Sequence, residues 1–166
     1  MEQKYIEDKM HELEKIIKYK FNNINLLCEA MNATKIKCEN AGKNNDTYVN
    51  EGLALVGDTI LKFVLSDKIF SEETKIKGEI TKSKEKLEKN GVLYEIFVKE
   101  NWRMFAYNND NFYDNAPGNN KVSCKKVHNP YIEAIIAAIY YDSSFDNTKH
   151  WILYFLYPLL KKYSTM

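Results

Sequence analysis

The sequence predicts an all-α domain, a bundle of helices around one core. Three observations carry that expectation. Between Asn50 and Phe70 the apolar residues Leu53, Val56, Ile60, Leu61, Val64 and Leu65 recur at three- and four-residue steps, the spacing that lines one face of a helix. From Asn129 to Asp142 the chain is nearly all apolar, with a single acid, Glu133, in its first turns. No run alternates apolar and polar residues as a half-buried strand would, and no internal repeat appears.

The elements follow in order. Leu13, Ile16 and Ile17 at helical spacing predict a first helix over Met10 to Lys20, with Phe21 after it. A short second helix is expected from Ile24 to Met31, with Leu26, Leu27 and Ala30 inward. Ala33 to Val49 is polar and reads as a loop. After the long helix, Ser71-Glu72-Glu73 leads to a charged helix ending near Asn90, where Gly91 is placed as a C-cap. Val92 to Lys99 is apolar enough for another short helix. Asn101 to Asn120 is crowded with Asn and Asp and carries Trp102, Phe105, Tyr107, Phe112 and Tyr113. Those rings either anchor a long loop or form a stacking surface for unpaired bases. Asn129 can cap the apolar helix, and Pro130 suits its first position, which needs no amide donor. Thr148 to Tyr163 closes the chain as a helix through Trp151, Ile152, Phe155, Leu156 and Leu159, kinked at Pro158.

Composition sets outer bounds. A chain of 166 residues is expected to form one domain with a substantial core. The net charge of +1 gives no global field, so nucleic-acid contact has to come from local patches, such as Lys121, Lys125 and Lys126. Cys28, Cys38 and Cys124 are odd in number and lack C-x-x-C spacing, which argues against a disulfide framework or zinc site and for a reducing compartment. The start, M-E-Q-K-Y-I-E-D-K, reads as neither signal peptide nor transit sequence, and no apolar run spans a membrane. A soluble, intracellular protein is the expectation.

The chemistry centres on three acids. Glu51 and Asp58 are seven residues apart, almost two turns, so both lie on one side of the long helix, about 10 Å apart along its axis. Glu133 is embedded where a carboxylate is expensive to bury without a partner. It must reach the surface, pair with a cation, or face other carboxylates across a metal. For Glu51 and Asp58 alone, an ordinary solvated face is the competing reading. The histidines add no nucleophilic system: His128 lies near Pro130 without a partner nucleophile, and His11 and His150 sit on amphipathic helices.

These stretches resemble the ribonuclease III family. N-E-G-L-A-L-V-G-D, from Asn50 to Asp58, is similar to the signature N-E-R-L-E-F-L-G-D. Pro130 to Asp142 resembles the family's D-x-x-E-A-L-I-G-A-I-Y-x-D helix, and Lys77 to Lys84 resembles its G-E-L-(S/T)-x-x-(R/K) helix. The opening, through Leu13, Glu14, Tyr19, Phe21, Leu26, Leu27, Ala30 and Met31, follows the family's N-terminal pattern, although Asn32, Ala33 and Thr34 replace its T-H-x-S. The resemblance implies the all-helical ribonuclease III endonuclease domain, paired about the signature helix with Leu53, Leu55 and Val56 at the dimer interface, over a valley for duplex RNA. It implies Mg²⁺ held by four acids, of which Asp58 and Glu133 remain. The other two fall on Ala54 and Pro130, which offer no side-chain oxygen. Lys126 stands where some Dicer-type domains carry a lysine, so Lys125 and Lys126 are expected at RNA. The family's carboxy-terminal double-stranded-RNA-binding domain is not expected after Tyr163.

Three functions follow from this pattern. The first is recognition or scaffolding of double-stranded or structured RNA, as a homodimer or beside a ribonuclease III-type paralogue, with catalysis impaired or lost and Mg²⁺ weakly held or absent. The second is a divergent Mg²⁺-dependent endoribonuclease, with Asp58 and Glu133 as metal ligands and Glu51 as an outlying third acid. The third is a helical interaction protein that does not contact RNA.

Overall fold

The computed structural model describes residues 2–36, 47–108 and 130–165. Its helices are α1 (Glu2–Ile17), α2 (Ile24–Ala30), α3 (Glu51–Glu72), α4 (Lys77–Leu87), α5 (Asn90–Lys99), α6 (Tyr131–Asp142), α7 (Phe145–Trp151) and α8 (Tyr157–Ser164). The architecture is all-α, as the periodicity predicts. No described helix is long and apolar enough to cross a membrane.

Helix α6 is the central element. From Tyr131 to Ile139 every residue except Glu133 is buried, because a helix apolar on all sides has to be wrapped on all sides. Helix α3 lies directly against it, contributing Leu53, Ala54, Ile60, Leu61, Val64 and Leu65 to the core. The two helices touch backbone to backbone at Gly57. A Cβ at that position would lie 1.7 Å from the Glu133 carbonyl oxygen and 3.2 Å from the Ala137 nitrogen, so only glycine fits. Phe97 of α5 stacks on Tyr131 at 4.5 Å between ring centroids, covering the start of α6. Asn50, fully buried just ahead of α3, donates its side-chain amide to the Ala30 carbonyl at 3.0 Å and ties α3 to the end of α2.

Several boundaries differ from the sequence expectations, each for a local reason. Lys35–Ile36 and Thr47–Tyr48 pair as a two-stranded antiparallel ribbon, β1 and β2, within the stretch read as loop. Strands of two residues are too short to show alternation. Gly91 is not a C-cap but lies in the first turn of α5, and α4 ends at Leu87. Pro130 sits one position before the first helical residue, and its carbonyl accepts the first intrahelical bond, from the Ala134 amide at 2.8 Å. Pro158 stands in the first turn of α8. The preceding segment, Ile152–Leu156, opens into a π-turn in which the Tyr157 amide bonds back to the Ile152 carbonyl. A wider turn accommodates a residue that has no amide hydrogen for the usual bond.

The aromatic stretch after α5 divides. Trp102 and Phe105 form a 3₁₀ turn and are buried, and the half-buried Tyr107 donates its hydroxyl to the Cys28 carbonyl at 2.8 Å. All three anchor the chain, and the buried Trp102 and Phe105 offer no open stacking face. Phe112 and Tyr113 lie outside the described residues.

Candidate functional site

The crossing of α3 and α6 places the sequence-predicted acids. Asp58 follows Gly57, the residue whose backbone meets that of Glu133, so the close crossing brings Asp58 and Glu133 to one locus. Burial pushes the Glu133 carboxyl up to about 7 from its usual 4.5, and the negative charge of Asp58 adds to the rise. The Lys62 ammonium opposes that rise, and Glu88, at the end of α4, reinforces it. Asp58 itself is engaged: Lys62, one turn further along α3, donates to its carboxylate at 2.6 Å. The neighbouring carboxylate holds the Lys62 ammonium more firmly protonated than usual.

Glu51 stands apart from this group, at the first turn of α3. Its carboxylate accepts from the Thr47 hydroxyl at 2.6 Å, which ties it to strand β2. Ala54 is buried between Glu51 and Asp58, and Pro130 is buried at the start of α6. Neither position carries a side-chain oxygen. Lys125, Lys126 and His128 lie outside the described residues.

Two contributors were not singled out in the sequence. Lys62 was legible in principle, since it follows Asp58 at the i,i+4 spacing that lets opposite charges meet on a helix. Glu88 had no local signal, because only the tertiary fold carries the end of α4 to this place. Among the described residues, one Glu88 oxygen is completely buried and has no hydrogen-bond partner; the other pairs loosely with Lys84 at 3.7 Å.

Magnesium asks for several oxygens in near-octahedral arrangement. Among the described residues no three His, Cys, Asp or Glu side chains are placed to hold a metal ion. With Asp58 paired to an ammonium and positions 54 and 130 lacking oxygen, the donor set of the described residues does not fit a carboxylate-held magnesium.

On the other flank of α3 lies an apolar cleft of about 510 Å³, lined by Leu55, Val56, Thr59, Ile60, Tyr140 and Phe145. Leu55 stands at its edge with 70% of its surface exposed. Phe63, also exposed, meets Phe145 edge-on at 5.7 Å. Of the three residues expected at a dimer interface, Leu53 is only 9% exposed and packs in the chain's own core. It belongs to the inward stripe with Ile60 and Leu61, whereas Leu55 and Val56 reach the cleft.

The sequence model of the Ribonuclease-III-like family matches residues 39–160, a stretch that includes α3, the α3/α6 crossing and the cleft. The chain belongs to this family. Ribonuclease 3 of Clostridium acetobutylicum is 32% identical over 146 residues, which is 87% of this chain and 60% of that protein. Ribonuclease 3 of Ehrlichia ruminantium (strain Welgevonden) is 31% identical over 146 residues, 86% of this chain and again 60% of the relative. The chain therefore spans about three-fifths of the length of these ribonuclease III relatives. Two structures of the nuclease domain of ribonuclease III from Campylobacter jejuni share the fold. One superposes with a TM-score of 0.66 at 24% identity over 93% of this chain and 97% of that one. The other gives 0.62 at 23% identity over 93% of each chain.

Proposed function

We propose that this chain is a ribonuclease III-type domain that pairs through α3 and recognises double-stranded or structured RNA, with its cleavage chemistry impaired. One observation carries the reading. The crossing that sets Asp58 beside Glu133 is kept to the point of backbone contact at Gly57, while positions 54 and 130 are buried without oxygen. The architecture of the family's site is retained and its donor set is depleted. Ligands that act as a unit are lost together in effect, so removing two should cost orders of magnitude in rate.

Pairing is supported by the cleft beside α3. An exposed leucine next to an apolar depression on the same face suits a two-fold contact, in which Leu55 of each copy enters the other's cleft. The Campylobacter jejuni nuclease domain likewise has a region involved in dimer formation. A second copy of this chain is the expected partner; a ribonuclease III-type paralogue would use the same face. Leu55→Asp should leave the protomer folded and shift sedimentation from dimer to monomer.

The deciding experiment incubates a labelled RNA duplex with the protein in Mg²⁺ or Mn²⁺ and also measures binding across a salt series. Binding that weakens as salt rises, without cleavage, is the expected result, because phosphate contacts release counterions. Rapid cleavage abolished by Glu133→Gln would instead establish a divergent Mg²⁺-dependent endoribonuclease. Failure to bind duplex even at low salt would leave a helical interaction protein.

A further inference from the structure

Between Lys75 and Lys89 the chain holds six lysines and three glutamates, although its net charge is only +1, so the remainder of the molecule is net negative. On α3, α5, α7 and α8, Lys62, Lys68, Lys99, Lys149 and Lys162 each lie 3.0 Å or less from a carboxylate. The lysines of α4 differ. Lys77, Lys82, Lys86 and Lys89 are exposed and, among the described residues, have no ion-pair partner. Lys75, exposed just ahead of the helix, lies over the Phe70 ring at 5.5 Å. Helix α4 packs on α3 and α8, with Leu87 buried and Ile80 half-buried. Lys82 stands two residues after Ile80, about 200° round the helix, and so belongs to the outer side. Lys86 follows about 6 Å further along the axis, and Lys89 lies just past the helix end. Glu79 and Glu85 interrupt the row, and the Glu79 carboxylate is engaged by the Thr74 hydroxyl.

We propose that the outer side of α4, through Lys82, Lys86 and Lys89, is a docking surface for the phosphate backbone of an RNA duplex, which rests on the reading of RNA recognition given above and names a surface for it. The chemistry favours this occupant. A lysine ammonium meets phosphate as a point charge, without reading sequence. Duplex RNA is recognised mainly by its shape and by contacts to phosphates and 2′-hydroxyls. A protein partner would want an apolar centre, and lysine is depleted from such interfaces. From Gly78 to Lys86 the exposed residues of α4 are Gly78, Glu79, Thr81, Lys82, Glu85 and Lys86, with no large apolar side chain among them. The apolar cleft beside α3 meets that description instead.

The test measures binding of a labelled RNA duplex by the full chain across a salt series. The parent is compared with a triple variant carrying Lys82→Gln, Lys86→Gln and Lys89→Gln. A control of equal charge carries Lys4→Gln, Lys15→Gln and Lys20→Gln, all at exposed positions in a stretch, residues 2–20, where five lysines balance five acids. Thermal melts establish that both variants fold. The α4 variant should bind at least about tenfold more weakly at physiological salt, and its plot of log affinity against log salt should flatten by about 2–3. The control should stay within about threefold of the parent, since screening leaves little of a distant charge. In the parent, duplex should also protect Lys82, Lys86 and Lys89 from acetylation and leave Lys15 reactive. A parent that binds duplex while the α4 variant keeps its affinity and salt slope would overturn this surface alone. Equal losses in the two variants would overturn it too, as would displacement of the duplex by polyglutamate at equal charge. A parent that binds no duplex at low salt would overturn both this surface and the reading beneath it.

Discussion

Glu133 and Asp142 are carboxylates near opposite ends of the same buried helix, and their surroundings could hardly differ more. Asp142, the last residue of α6, accepts from the Tyr19 hydroxyl at 2.9 Å and from the amides of Asn22 and Asn23 at 3.0 and 2.8 Å. Those amides lead into α2, so a side chain from the end of one helix caps the start of another. Glu133, in the first turn of α6, has no hydrogen bond among the described residues, and burial drives its carboxyl up to about 7. Asp142 is spent on architecture. Glu133 is held at a cost to the fold, and such costs gather where a protein does something other than fold.

The largest change that bears on this contrast is Gly57→Ala. A methyl 1.7 Å from the Glu133 carbonyl oxygen forces α3 away from α6. Denaturant titration should show a loss of about 3 kcal/mol or more, at the upper end for overpacking. Whatever fraction still folds should have Glu133 better hydrated, with its carboxyl returning toward 4.5. A neutral Gly57→Ala would break the comparison, because the close crossing would then not be what buries Glu133.

Next in size is Asp142→Ala. It removes a charged acceptor from two amides and a hydroxyl, and at pH 7 should cost about 2 kcal/mol. Glu133→Gln should act in the opposite direction. Between pH 4.5 and about 7 the folded chain keeps a proton that the unfolded chain has lost, so stability falls as pH rises through that window. The penalty is complete above the window and absent below it. The glutamine variant should therefore be more stable than the parent by about 1–2 kcal/mol at pH 8, and equal to it at pH 4. Denaturation midpoints at the two pH values check both sign and window. Asp58, Lys62 and Glu88 face Glu133 and titrate in the same experiment, so Lys62→Met should enlarge the glutamine effect.

The contrast also separates what the sequence reveals from what it conceals. The periodicity of Leu53 to Leu65 and the apolar run around Glu133 are local properties, and both helices stand where those patterns put them. The predicament of Glu133 was legible for the same reason: a lone acid in an apolar helix has few ways to be satisfied. Its neighbours were not. Glu88 arrives from α4 and Thr47 from β2, through tertiary contacts that leave no mark in local spacing. Leu53 lies in the inward stripe with Ile60 and Leu61, which points to the core, while Leu55, off that stripe, is exposed. The role of Asp142 was also hidden, since its partners lie some 120 residues earlier in the chain.

The smallest expected effect tests how the architectural end is built. Tyr19→Phe removes one donor from Asp142 and leaves the two backbone amides in place. If the amides carry the cap, the variant should lose about 1 kcal/mol, the net worth of one hydrogen bond to a charged group whose other partners persist. The Tyr19 ring also packs edge-on against Phe21 at 4.7 Å, and phenylalanine keeps that contact, so the measurement isolates the hydroxyl. A loss equal to that of Asp142→Ala would mean that the hydroxyl positions the carboxylate for the amides. The cap would then be a cooperative network in which the Asp142 carboxylate depends on a single side chain.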